Sequence, residues 1–125
     1  MERRWNNLEF ITDLLEFERA KGSGPRIATK DIVFDYPVIQ ATALLTGTNF
    51  GFSEDDDHHL GRVDVKVDAT VSGNTVTVTA TFGVRDWSGN WNDNYEGTVY
   101  FAVIAEVQLP VPRASTLVPA EKFRI

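Results

Sequence analysis

The stretch that decides the fold is RVDVKVDATVSGNTVTVTATF, residues 62–82. Apolar and polar residues alternate strictly along both of its halves, a period that is typical of β-strands with one face in a core. Between the halves stands Gly73-Asn74, which suits the two central positions of a primed β-turn. The stretch therefore predicts an antiparallel hairpin.

The register of this hairpin can be tested within the sequence. A two-residue loop pairs Val71 with Val76 and Val65 with Phe82, and the same register sets Asp68 opposite Thr79. All the apolar residues then share the inner face and the polar residues share the outer face. A slip of one residue would invert one strand against the other, so the pattern and the turn agree.

Strands are also predicted on both sides of the hairpin. Residues 26–36, 38–52 and 97–107 alternate in the same way, and Pro37 separates the first two because proline cannot donate to a ladder. The last of them carries apolar residues on both faces, which predicts a central strand or one covered by a partner subunit. The predicted fold class is all-β, an antiparallel β-sandwich of about six strands.

The N-terminal segment departs from this period. Residues 7–21 predict one short amphipathic helix, because Leu8, Ile11, Leu14 and Leu15 recur at helical spacing. Lys21-Gly22-Ser23-Gly24-Pro25 would end that helix. The predicted organisation is a helix and Gly/Pro linker over residues 1–24, the sandwich over 25–108, and an extended proline-containing tail over 109–125.

Composition excludes several classes of function. The net charge of −6 and the absence of a basic cluster argue against nucleic acid as a partner. The chain has no cysteine, which rules out disulfides, thiolate catalysis and cysteine-ligated zinc. We find neither a membrane-spanning apolar run nor the apolar core of a signal peptide, so we expect a cytoplasmic protein or one exported by a non-classical route.

The loop over residues 53–59 gathers carboxylates and imidazoles. Asp55, Asp57 and His58 are candidate metal ligands, and calcium or another divalent cation is the cofactor that such a loop would suit. The spacing matches no EF-hand, however, and adjacent side chains of an extended chain point in opposite directions. A solvated acidic turn is the alternative interpretation.

The loop over residues 85–96 interleaves three aromatic residues with Asp, Asn and Ser. Carbohydrate recognition needs an aromatic face against C–H groups, with amides and carboxylates accepting hydrogen bonds from hydroxyls. The candidate ligand-binding residues are Asp86, Trp87, Asn90, Trp91, Asp93 and Arg62, joined by Asp57 and His58 if the two loops converge. In the alternative interpretation Trp87 and Trp91 plug the open end of the sandwich and the polar residues form Asx turns.

The sequence offers little for catalysis. It has no nucleophile elbow and no phosphate-binding glycine loop, and it contains two histidines. A hydrolase that pairs Asp57 with Asp86 or Glu96 is conceivable, but nothing fixes the carboxylate separation which that chemistry requires. We therefore expect a protein that is not an enzyme.

Three short motifs carry a family resemblance. Phe34-Asp35-Tyr36-Pro37-Val38, Arg62-Val63-Asp64-Val65 and Val99-Tyr100-Phe101-Ala102-Val103-Ile104-Ala105 occur in an order similar to that of the H-type lectin domain of snail agglutinins and of the C-terminal half of discoidins. The resemblance covers roughly two-thirds of the chain and implies a six-stranded sandwich. It also implies a homotrimer, and recognition of N-acetylgalactosamine-type sugars at the subunit interfaces. Arg62 and Trp87 are the nearest matches to the sugar-contacting residues. The longer, more acidic loop over residues 90–96 and the N-terminal segment depart from the family pattern.

Two functions from different classes follow. The first is a non-catalytic, oligomeric carbohydrate-binding module whose partner is a glycan or glycoconjugate. The second is a structural or assembly protein, whose β-domain oligomerises while the N-terminal segment and the tail dock onto partner subunits.

Overall fold

A computed structural model describes residues 5–53 and 59–110 of the chain. These residues form six strands: β1 (Trp5–Ala20), β2 (Arg26–Val33), β3 (Val38–Phe52), β4 (Leu60–Ser72), β5 (Thr75–Asp86) and β6 (Tyr95–Leu109). One sheet has the order β1-β6-β3 and the other has the order β2-β5-β4. Every strand pairing is antiparallel, so the predicted six-stranded β fold is confirmed.

The hairpin of β4 and β5 has the predicted register. Val71 pairs with Val76, Asp68 with Thr79 and Val65 with Phe82. Gly73 has a φ of 62°, and no residue other than glycine has a positive φ in the described chain. A positive φ at the first central position alone is the mark of a type II′ turn, whose twist matches that of the flanking strands.

The prediction of an N-terminal helix is wrong. Residues Trp5–Ala20 form β1, which pairs with β6 from Trp5 opposite Leu109 to Phe17 opposite Gly97, and no helix occurs in the described residues. The physical reason is that β6 is apolar on both faces and lies at the centre of its sheet, so it needs a strand on each side. This tertiary pairing outweighs the local helical spacing of the leucines. No membrane-spanning helix is present in the described ranges either.

The core lies between the two sheets. The inward side chains of β5 and β6 are buried, and the largest of them are Phe82, Tyr95 and Phe101. β1 adds Phe17, which is 6% exposed and whose ring centroid lies 5.0 Å from that of Phe82. The sandwich therefore includes residues before position 25, because β1 supplies part of its core.

The connections divide the molecule into two different ends. At one end lie the C-terminal ends of β1, β3 and β5, with the connections over residues 21–25 and 87–94, and we call this the loop end. The opposite end holds the turn at Gly73, the β2–β3 connection and the paired residues Trp5 and Leu109. The loop predicted to bind sugar therefore projects away from the points where the chain enters and leaves the sandwich.

Candidate functional site at the loop end

Trp91 forms one wall of a cavity at the loop end. The cavity has a volume of about 460 Å³ and lies between the β1–β2 and β5–β6 connections. Its lining residues are Gly22, Ser23, Gly89, Asn90, Trp91 and Asn92. Hydroxyl and amide side chains beside an indole can accept and donate hydrogen bonds without carrying charge, which suits a neutral polyol.

The indole of Trp91 is held in place from two sides. It lies so close to the backbone of Gly83 that a Cβ on this glycine would be 2.6 Å from the ring, and 2.9 Å from Cα of Pro25. The guanidinium carbon of Arg85 lies 5.7 Å from the ring centroid, which is within the range of a cation–π interaction. Trp91 is therefore a half-buried, fixed surface, and the loop folds back over the end of the β2-β5-β4 sheet.

Trp87 has a different environment. Its side chain is 77% exposed, so it does not plug the sandwich. Its Nε1–H donates a hydrogen bond of 2.6 Å to the carbonyl of Leu60, and the ring of His59 lies 5.8 Å away, centroid to centroid. A rigidly held aromatic surface that faces solvent is an anchor that binding sites favour, because little side-chain entropy is lost when a ligand covers it.

The polar candidates of this loop have structural tasks as well. Asp86 accepts hydrogen bonds from the backbone N–H and the hydroxyl of Ser88, which closes an Asx turn. The backbone N–H of Asn90 in turn donates to the Ser88 hydroxyl at 3.3 Å. Asp93 is half-buried and does not line the cavity. Asp86 and Ser88 thus shape the loop, whereas the side chains of Asn90 and Asn92 border the cavity.

Arg62 lies apart from the cavity. It pairs across the strands with Arg85, as the predicted register of the hairpin requires, and its Nε–H donates to the Asp64 carboxylate at 3.1 Å. The structure therefore brings Asn90 and Trp91 together, places Trp87 on the β4 side of the loop, and keeps Arg62 in an ion pair on β4.

The predicted metal ligands Asp55, Asp57 and His58 lie outside the described residues. Within the described ranges, no group of three His, Cys, Asp or Glu side chains could hold a metal ion. His59, which follows the predicted ligands, stacks on Trp87 and so brings the end of the first loop against the second.

A second, wider groove of about 590 Å³ crosses the β1-β6-β3 sheet at the same end. It is bordered by the carboxylates of Glu16, Glu18 and Glu96 together with Asn49, Phe50 and Thr98, and no Lys or Arg of the described chain lines it. Such a surface disfavours anionic ligands through simple charge repulsion. An anionic sugar is therefore a poor fit for this groove.

Sequence reasoning missed the contribution of the β1–β2 connection. Gly22 and Ser23 border the cavity, whereas the pattern of Lys21-Gly22-Ser23-Gly24-Pro25 indicates only a linker between a helix and the sandwich. Arg26 was also missed. Its guanidinium lies 4.4 Å from the Tyr95 ring centroid and donates to the carbonyls of Glu18 and Tyr95, which ties this connection to the start of β6.

Comparisons with known proteins do not assign the chain to a family. The chain matches no protein-family model, no curated protein and no solved structure.

Proposed function

We propose that this protein is a non-catalytic carbohydrate-binding module, similar to H-type lectins, which binds a glycan through the loop end of its sandwich. The observation that supports this proposal most is the fixed indole of Trp91 beside Ser23, Asn90 and Asn92 in one cavity. This combination offers an apolar surface for sugar C–H groups and neutral partners for hydroxyls. The exposed Trp87 provides a second aromatic surface for the next sugar unit of the same glycan.

The support for this proposal comes from the residues of the loops, because a β-sandwich fold by itself is compatible with many functions. The proposed ligand is neutral, because the cavity is lined by uncharged side chains and the neighbouring groove is acidic. The proposal includes oligomerisation, for which the resemblance implies three copies.

A glycan-array screen with the purified full chain tests the proposal, run once with calcium and once with a chelator. We expect saturable binding to neutral glycans, and binding that chelation abolishes would assign a cation to the loop at Asp55, Asp57 and His58. No binding in either condition would contradict the proposal.

Two substitutions locate the site. Trp87→Ala and Asn90→Ala should each weaken glycan binding at least about tenfold, because loss of one well-placed contact typically costs more than about 1.4 kcal/mol. Tyr36→Ala is the matched control, since Tyr36 is an exposed aromatic residue at the opposite end of the sandwich. Equal loss in all three variants would place binding elsewhere.

An assembly module is the second candidate function. The observation that favours it is the number of large apolar side chains exposed on the outer face of the β1-β6-β3 sheet. Under either function the variants at Trp87 and Asn90 should leave the association of copies unchanged. If assembly is the function, the wild-type chain should associate and bind no glycan.

A further inference from the structure

The outer face of the β1-β6-β3 sheet has an apolar centre. Ala102 and Ile104 are half-buried and point outward on the central strand β6, because the residues on either side of each are fully buried. Around them, Phe10 on β1 is 66% exposed, Leu44 on β3 is 45% exposed and Tyr100 on β6 is 37% exposed. These five residues occupy three consecutive rows of the sheet, and we call them the apolar strip. An apolar patch that is contiguous and exposed is typical of an interaction site.

Negative charge bounds the apolar strip at both ends. Glu106 on β6 lies one row beyond the strip, on the side away from the loop end, and accepts hydrogen bonds of 2.7 Å from the side-chain amides of Asn6 and Gln40. These amides are neutral, so they do not offset its charge. At the loop end, Glu96 on the same strand borders the wider groove together with two glutamates of β1. The sheet face is therefore apolar in the middle and acidic at each end.

The charges indicate what can cover this strip. A second copy stacked on the same face would set acidic ends against acidic ends whichever way its strands run, and such like charges repel each other. A partner that fits must carry apolar side chains in its middle and basic side chains at both ends. It must also span the ten positions between Glu96 and Glu106 on β6.

The segment that follows β6 has this composition. Residues 111–125, VPRASTLVPAEKFRI, lie outside the described residues and belong to the extended, proline-containing tail that the sequence predicts. Arg113 stands near the start of this tail, Leu117 in its middle, and Lys122 and Arg124 follow. One acidic residue accompanies these three basic ones, so the tail is basic whereas the whole chain is acidic. The tail is therefore complementary in charge to the sheet face.

The separations of the charges also match. Glu96 and Glu106 are ten positions apart on a strand, about 34 Å at about 3.4 Å per residue. Lys122 follows Arg113 by nine positions, and Arg124 follows it by eleven. An extended proline-containing chain rises about 3.1 Å per residue, so these separations are about 28 Å and about 34 Å. A tail that runs along β6 can therefore place basic residues at both acidic ends.

The middle of the tail meets the apolar strip in the same register. Leu117 is four positions after Arg113, about 12 Å along an extended tail. Ala102 is four positions before Glu106, about 14 Å along β6. When Arg113 lies beside Glu106, Leu117 therefore lies over Ala102, whose small side chain leaves room for a larger one.

The exit of the chain from the sandwich permits this path. β6 ends at Leu109, which is three positions after Glu106 and four positions before Arg113. A reversal of the chain over residues 110–112 therefore brings the two charges together.

The prolines of the segment favour packing on the face of the sheet over pairing with its edge. Pro110, Pro112 and Pro119 have no N–H to donate to a ladder. We propose that the tail folds back along β6 and covers the apolar strip of its own sheet, with its basic residues at the two acidic ends. The contact is independent of the glycan-binding proposal, because it involves neither the cavity at Trp91 nor a ligand.

Disulfide trapping in the full chain tests the contact, since the chain has no cysteine of its own. Ala102→Cys combined with Leu117→Cys should form a disulfide within one chain, measured as the loss of free thiols with a monomeric band on a non-reducing gel. Lys66→Cys combined with Leu117→Cys is the matched control, because the side chain of Lys66 is 68% exposed on the outer face of the other sheet. The first pair should react at least about tenfold faster, because docking raises the effective concentration of its thiols.

Equal rates in the two pairs would overturn the proposal. A disulfide that forms only between chains would also overturn it, since the occupant would then be a second copy. Thr12→Cys combined with Leu117→Cys repeats the test from β1, in the same row as Ala102, and should again react faster than the control. This second pair keeps the test decisive if a cysteine on β6 disturbs the central strand.

A charge reversal tests the direction of the tail. Arg113→Glu, added to the Ala102→Cys and Leu117→Cys pair, should slow disulfide formation about threefold or more, because it replaces attraction to Glu106 with repulsion. Glu106→Arg added to that variant should restore the rate. An unchanged rate after Arg113→Glu would overturn the proposed register, as would failure of the rescue. None of these measurements involves a glycan, so their outcome is separate from that of the glycan screen.

Discussion

At the scale of single residues, Gly83 decides where the indole of Trp91 lies. Any side chain at this position would occupy the space that the ring fills, and φ plays no part, since Gly83 is not among the glycines with positive φ. Because Gly83 has no side chain, the indole of Trp91 can pack against β5 and form the aromatic wall of the cavity. Sequence reasoning identified Trp91 as a candidate but gave no signal for Gly83, because a contact across a loop leaves no local pattern.

Gly83→Ala should displace the indole. The new Cβ would lie 2.6 Å from the ring and 2.9 Å from Cα of Pro25, so we expect a loss of about 1–3 kcal/mol in the free energy of unfolding. Urea unfolding measures this loss, and the near-UV circular dichroism of the tryptophans should change. Gly24→Ala is the control, since a Cβ added at Gly24 would have no neighbour within 4 Å. Equal effects of the two substitutions would contradict the role of Gly83.

Asp13 and Lys30 link the two sheets at their edges. Lys30 Nζ lies 2.9 Å from the Asp13 carboxylate, and this hydrogen bond, together with one from the backbone N–H of Leu14, lowers the pKa of Asp13 below its ordinary 3.8. Both side chains are partly exposed, at 41% for Lys30 and 31% for Asp13, so water screens the attraction. The pair therefore contributes at most about 1 kcal/mol.

The pH dependence of this pair has a defined sign. A lowered pKa in the folded state stabilises the fold above pH 3.8, and that contribution is lost as the pH falls through the lowered pKa. Asp13→Asn should lower the free energy of unfolding by about 0.5 kcal/mol at pH 7 and leave it unchanged at a pH where Asp13 is protonated. Urea unfolding at both pH values measures this difference. Asp68→Asn serves as control, because Asp68 and Lys66 are 3.8 Å apart and more exposed. An equal cost at both pH values would refute the assignment.

At the scale of elements, the prediction was accurate where the sequence pattern of one strand constrained the register of the next strand. The β4–β5 hairpin was predicted to the register, because a two-residue turn and two alternating strands constrain one another. β1 was missed because its partner β6 is the last strand of the chain, so no local turn fixes the pairing. Its alternation of Leu15 and Phe17 with the exposed Glu16 and Glu18 was the signal available in the sequence.

Phe17→Ala distinguishes the strand from a docked helix. Phe17 is buried against Phe82, so its truncation should cost about 3–5 kcal/mol in the free energy of unfolding. Phe10→Ala is the matched control, since Phe10 is 66% exposed on the other face and should cost little within one chain. Thermal and urea unfolding at low protein concentration measure both. The helical stripe of Leu8, Ile11, Leu14 and Leu15 includes neither phenylalanine, so similar small effects would favour the helix.

At the scale of the whole molecule, the candidate site was predicted in part. The loop over residues 85–96 was predicted as a binding loop, and its Asn90 and Trp91 do border a cavity. Residues that the fold brings from another connection, Gly22 and Ser23, could not be found, because their place depends on β1 and β2 belonging to different sheets. Arg62 was predicted to contact the ligand, but it does not line the cavity, and its Nε–H donates to Asp64, its neighbour on the same face of β4.

The position of β6 between β1 and β3 also governs how the chain can fold. The β2-β5-β4 sheet is complete once residue 86 has been synthesised, but the other sheet has no paired strand until β6 emerges. Asn6 and Glu106, which are joined by a hydrogen bond, are 100 positions apart. Bringing such distant segments together loses chain entropy before their contacts can stabilise the fold. Folding should therefore be slow and should end with the insertion of the last strand.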